Sequence, residues 1–166
     1  MTLRLPISIE ELKKGELLEE TRKKLREGKL SKVDLDVTKA VYEVAKEKNL
    51  TDVGFERAVE IGDVIIISTQ KQDVGLLIGK GGSVAAALSY KLNKKIRIIE
   101  HSDNPHKLIS DLIKPALLKG INVKYAKEGK IWRVRIDNKN KLPMNEETLQ
   151  LALKQFFTSN VEITYD

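Results

Sequence analysis

The chain has no cysteine, two histidines, one tryptophan and few aromatics, 5% of 166 residues. Without cysteine there is no disulfide framework and no thiolate zinc site. His101 and His106 are lone histidines and make a poor metal cluster, so neither a metal nor any other cofactor is expected. So sparse an aromatic complement also means that base stacking is not the main way this chain would hold a nucleic acid. Long apolar runs are missing as well. None approaches the roughly 18–20 residues of a membrane span, and residues 1–6 are too short and too soon interrupted for a signal peptide. A cytoplasmic protein with no membrane partner is expected. The carboxylates form no constellation with a nucleophile or base, which leaves an enzymatic role, and a small-molecule substrate, with no catalytic residue to rest on.

What is present is a globular composition. With 41% apolar residues the chain can build a packed core, as one or two small domains. Charged residues make up 33%, and the net charge of +6 favours a polyanionic partner. That excess is spread thinly: residues 1–52 carry +1, 53–100 carry +2 and 101–166 carry +3. There is no basic tail, so a nucleic-acid site has to be built by local geometry.

Residues 10–29 alternate charges around Leu12, Leu17, Leu18 and Leu25, a weakly apolar helical pattern broken by Gly15 and Gly28. From Ser31 the signal strengthens. Ser31 and Asp34 have the spacing of a capping pair, and Val33, Val37, Val41 and Val44 recur at helical intervals to about Lys48. Phe55, Arg57, Val59 and Ile61 then alternate with Glu56, Ala58 and Glu60, and Gly62-Asp63 separates them from the apolar, β-branched run Val64 to Ile67. This is the pattern of a β-hairpin. Asp73 to Ile78 reads as a short helix stopped by Gly79, Ser83 to Leu92 as a second with Val84, Leu88 and Leu92 on one stripe, and Lys95 to Glu100 as a strand.

A second pass through nearly the same order follows. Asn104 and Pro105 suit a helix start, with Leu108, Leu112 and Ile113 as its buried stripe and Pro115 as its stop. Ile121, Val123 and Tyr125 predict one strand, Trp132, Val134 and Ile136 the next, Glu146 to Phe157 a helix and Val161 to Tyr165 a last strand. The expected organisation is an α/β chain with an N-terminal helical extension at 1–30 and two tandem units at 31–100 and 101–166.

The stretch Ile78-Gly79-Lys80-Gly81-Gly82-Ser83 carries the chemistry. A Gly-x-x-Gly turn between helices lets the backbone take left-handed angles, lets a phosphate approach where a side chain is missing, and leads into a helix with unpaired N–H groups. A triphosphate-binding P-loop is excluded by spacing. Only three residues separate Gly75 from Gly79-Lys80, Gly81 stands where the magnesium-binding hydroxyl belongs, and the preceding segment is helical. The candidate site is therefore a nucleic-acid backbone clamp. In it Gly79, Lys80, Gly81, Gly82 and Ser83 hold phosphates while Ile78, Val84 and Leu88 line a base groove.

Leu76 to Val84 resembles the signature of a KH domain, and the αββααβ order of residues 31–100 resembles its type II form. Lys94 to Pro105, with Leu112-Ile113-Lys114-Pro115-Ala116, is similar to the junction between the paired KH domains of NusA-like transcription factors, in an archaeal version. The resemblance implies two tandem type II KH domains, single-stranded RNA as partner, and a role in transcription elongation or termination. Bacterial members carry a large polymerase-binding domain and an S1 domain, which do not fit in the first 30 residues here.

In the second unit, residues 141–147 replace the glycine loop with a glycine-free stretch carrying Glu146 and Glu147, so this copy is degenerate. Arg133, Arg135 and Lys124 share a strand face that reads first as solvated and only second as an accessory RNA surface. Trp132 reads as core rather than as a stacking platform. The alternative reading of the whole chain is an adaptor that docks on RNA polymerase, ribosomal proteins or RNA-processing machinery, with RNA binding secondary.

Overall fold

The computed structural model describes residues 2–166; Met1, where the expected N-terminal extension begins, lies outside the described residues. The chain divides after His101 into two compact units. The first contains β1 (Thr2–Arg4), α1 (Ile9–Lys14), α2 (Glu19–Arg26), α3 (Lys32–Glu47), β2 (Asp52–Gly54), β3 (Arg57–Ile61), β4 (Val64–Thr69), α4 (Lys71–Ile78), α5 (Ser83–Leu92) and β5 (Lys95–Glu100).

The N-terminal segment is not one weak helix but a strand and two helices. Ser8 and Glu11 form a reciprocal capping box at the start of α1, which Gly15 ends at φ 70°. β1, which no alternation in three residues could announce, pairs in parallel with β2. The Ser31–Asp34 box opens α3 as its spacing predicts. Asp34 does more: its other carboxylate oxygen, Oδ1, accepts the backbone N–H of Ala58 at 2.9 Å, which pins the start of α3 to β3.

β4 is the centre of a three-stranded sheet, antiparallel to β3 and parallel to β5, with α4 and α5 as the crossover. Every residue of β4 is buried, which explains an unbroken apolar run in place of alternation. Ala58, Ile65 and Ile67 pack against Val37, Val41 and Val44 of α3, Leu77 of α4 and Val84 and Leu88 of α5. Here the sequence pattern misleads at one point. It groups Ala58 with the polar residues, yet Ala58 and Val59 are both buried, because Ala58 faces the helices where Asp34 draws α3 close.

The second unit contains α6 (Pro105–Ile113), β6 (Leu118–Ala126), β7 (Gly129–Ile136), α7 (Glu146–Phe156) and β8 (Asn160–Tyr165). Asn104 caps α6 through His106 N, and the helix stops before the cis Lys114–Pro115 bond. The sheet order β6-β7-β8, antiparallel then parallel, repeats that of the first unit. The crossover differs. Where the first unit has α4 and its glycine turn, the second has only a 3-10 turn at Lys139–Lys141, capped by Asn138.

Trp132 is half-buried and stacks on Phe157 with ring centroids 5.1 Å apart. Arg133 pairs with Glu162 at 3.3 Å and Arg135 with Asp166 at 3.0 Å, so the arginines of that sheet face are already matched by carboxylates. Among the described residues no helix is long and apolar enough to cross a membrane, and no group of three histidine, cysteine or acidic side chains is placed to hold a metal ion.

Candidate nucleic-acid interface

The site begins with the anchoring of α4. Its Asp73 is fully buried and accepts two hydrogen bonds from the guanidinium of Arg4, from Nη1 at 2.6 Å and from Nη2 at 2.9 Å. The same Nη2 reaches Asp52 at 2.8 Å, so one arginine ties β1 and β2 to the helix that leads into the glycine turn. The strands must lie close for this. A Cβ on Gly54 would fall 2.3 Å from the Arg4 carbonyl oxygen, and only glycine fits.

Gly79 ends α4 at φ 77°, ψ 168°, a region that is essentially glycine's alone. A Cβ there would sit 2.5 Å from Val84 Cγ2 and 2.7 Å from Val84 N. The missing side chain is thus what allows the turn to fold back over the start of α5. Lys80–Gly82 form one 3-10 turn, closed by Gly82 N–H to the Gly79 carbonyl at 3.0 Å. Gly81 and Gly82 have φ of 62° and 78° and face open space.

The capping position of α5 is Gly82, with Ser83 the first helical residue. Consequently no side chain accepts from the first amides of α5, and no acidic residue stands in its first turn. Ser83 N–H donates back to the Lys80 carbonyl, and the amides that follow it, at the positive end of the helix and next to an exposed lysine, make an anion site. Lys80 takes part in no ion pair among the described residues.

The structure brings six of the sequence-predicted residues together at this turn: Ile78, 39% exposed, then Gly79, Lys80, Gly81, Gly82 and Ser83. Val84 is buried and forms the floor of the adjoining cleft. Leu88 lies one helical turn deeper, with no exposed surface, and packs into the core instead of lining a groove. The cleft, about 450 Å³, is also lined by Lys48, Leu50 and Leu76, which the sequence reading did not single out. Leu76 carried a signal. Leu76-Leu77-Ile78 is a run of three apolar residues on a short helix, which cannot bury all three; only Leu77 goes inside.

The corresponding end of α7 is chemically opposite. Asn145 caps it by accepting from Thr148 N at 2.8 Å, and Glu146 and Glu147 occupy its first turn. Tyr165 donates its hydroxyl to Glu146 at 2.7 Å, and burial, then this hydrogen bond, push the phenol up to about 12. The cap takes the Thr148 amide, and the approach to the helix start is negatively charged.

Residues 34–101 match the family described as NusA-like first KH domain. The "Probable transcription termination protein NusA" of Methanocaldococcus jannaschii is 27% identical over 110 residues, 66% of this chain; the chain spans 60% of that relative's length. Among solved structures, the crystal structure of APE1850 superposes with a TM-score of 0.58 at 17% identity, over 77% of this chain and 96% of that one, a likeness of fold. NusA-like KH domains are RNA-binding and non-enzymatic. The glycine turn, set between two helices, lies inside the matched segment, so it is residues 34–101 that are similar to a NusA-like first KH domain.

Proposed function

We propose that the first unit clamps the backbone of single-stranded RNA at Gly79–Ser83, and that the chain acts in transcription elongation or termination. The observation that carries this reading is the uncapped start of α5 beneath a turn of three left-handed glycines, with Lys80 free beside it. Phosphates would rest on the amides of Lys80, Gly81 and Val84. Bases would lie in the cleft over Val84, between Ile78 or Leu76 on one side and Leu50 on the other, with Leu88 supporting the floor from beneath.

The test is the double substitution Lys80→Asp and Gly81→Asp. Both positions are exposed, and a Cβ on Gly81 meets nothing, so the fold should survive while two carboxylates occupy the phosphate path. RNA affinity should fall at least about tenfold, as loss of a charge-assisted contact and gain of repulsion imply. A folded double variant with undiminished affinity would remove the site.

A second reading, docking on RNA polymerase or a ribosomal protein, is favoured by the capped, acidic start of α7, which gives the second unit no clamp of its own. Partners that co-purify after nuclease treatment would support it, and partners lost with the RNA would not.

A further inference from the structure

We propose that the β6–β7 hairpin of the second unit is a separate contact for single-stranded RNA, with Tyr125 stacking on a base and Lys124, Lys127 and Lys130 meeting phosphates. The inference takes its partner class from the reading of the first unit but rests on different residues. β8 begins its pairing at Ile131, so the hairpin runs on beyond the third strand as a two-stranded arm. Residues 122–130 are all exposed, and Tyr125 is 77% exposed.

A two-stranded arm with no core of its own gains nothing in stability from a bare tyrosine. Yet the pairing Tyr125↔Lys130 puts an open aromatic ring and a cation on the same face, side by side. Val123 and Trp132, the next pair on that face, continue it toward Phe157. Lys127 sits in the turn and Lys124 on the reverse face, so the arm carries cations beside the ring, at its tip and on its back.

Charge selects the occupant. The arginines nearer the base of the sheet are matched by Glu162 and Asp166, whereas Lys124, Lys127 and Lys130 form no ion pair among the described residues and Glu128 is the one acid on the arm. A flat ring flanked by unmatched cations fits an unpaired base between phosphates. It fits an acidic peptide less well, since nothing on such a peptide requires the open ring.

Trp132, the only tryptophan, lies one pair along from Tyr125 and reports on the arm without a label. The experiment titrates the full chain with a short unstructured uridine oligonucleotide, following Trp132 fluorescence and affinity together. Four proteins are compared: wild type, Tyr125→Ala, the triple Lys124→Glu, Lys127→Glu, Lys130→Glu, and the Lys80→Asp, Gly81→Asp variant. RNA should quench Trp132 in the wild type. The quench should persist in the glycine-turn variant and vanish in the triple variant. Tyr125→Ala should weaken binding to the arm about tenfold, the scale of one base stack, and the triple variant should flatten the salt dependence by about two in log–log slope.

An unchanged quench in the triple variant, or no quench in the wild type, overturns the inference, as does quenching by a poly-glutamate peptide but not by RNA. A glycine-turn variant of undiminished affinity, with the quench intact, would instead overturn the clamp and leave the arm standing.

Discussion

The Gly79→Ala variant isolates the geometry on which the proposed clamp depends. Two costs follow from the structure. At φ 77°, ψ 168° an alanine occupies a backbone region that costs about 1–3 kcal/mol for a residue with a Cβ. Its methyl group would also meet Val84 Cγ2 at 2.5 Å and Val84 N at 2.7 Å, contacts relieved only by moving α5, and overpacking of this kind costs about 1–3 kcal/mol. Together they amount to about 2–6 kcal/mol, a large fraction of the roughly 5–15 kcal/mol that holds a domain folded. Gly81→Ala is the control. Gly81 is left-handed at φ 62° but surrounded by open space, so its cost is the backbone term of about 1–2 kcal/mol, reduced by the lower entropy of the unfolded chain. Urea unfolding followed by far-ultraviolet circular dichroism should show the midpoint of Gly79→Ala falling well below that of Gly81→Ala, with similar slopes. Equal midpoints, or a Gly79→Ala protein as stable as the wild type, would refute the claim that the missing side chain is what lets the turn close on α5.

Three further outcomes are expected. Asp34→Ala removes a capping box and leaves the buried Ala58 N–H without its acceptor, a loss of about 2 kcal/mol in urea unfolding; Asp34→Asn, which keeps an acceptor oxygen, should lose less. Arg4→Ala strips the buried Asp73 carboxylate of its cation and should destabilise the first unit by about 2–3 kcal/mol, with faster amide exchange in α4. Glu11 is subject to burial, which raises its pKa, but hydrogen bonds from Thr21, Leu18 and Ser8 outweigh this and hold it at about 2. A carboxyl depressed on folding stabilises above its unfolded value of about 4.5 and loses that contribution as pH falls toward 2. Acid unfolding should therefore begin below about pH 4.5 in the wild type, and Glu11→Gln should be less stable at neutral pH while losing less of its stability on acidification.

The fold of each unit was legible where one residue type forces one geometry. Gly79 and Ser83 bracket the turn, Asn104-Pro105 start α6, and the apolar run of β4 marks a central strand. What was not legible depends on distant partners. β1 and β2 are three residues each and exist because Arg4 reaches Asp73 and Gly54 permits the approach, a relation across some seventy residues that no local period reveals. The absence of a first crossover helix from the second unit, by contrast, was legible: residues 137–145 contain Pro143 and no apolar period, and only a 3-10 turn forms there. At the site itself the glycine turn could be read directly, but one helical stripe was asked both to fill the core and to line a groove. The core takes Leu88, and the cleft takes Leu76, Lys48 and Leu50 from elements whose proximity only the fold creates.

The central claim is that backbone amides at the turn hold the RNA phosphates. It is tested most directly by titrating the isotopically labelled chain with single-stranded RNA and following amide resonances by NMR. The account predicts the largest shifts at Lys80, Gly81, Gly82, Ser83 and Val84, with the amides at the start of α7 unmoved. RNA binding that leaves the amides of residues 80–84 unshifted would contradict it.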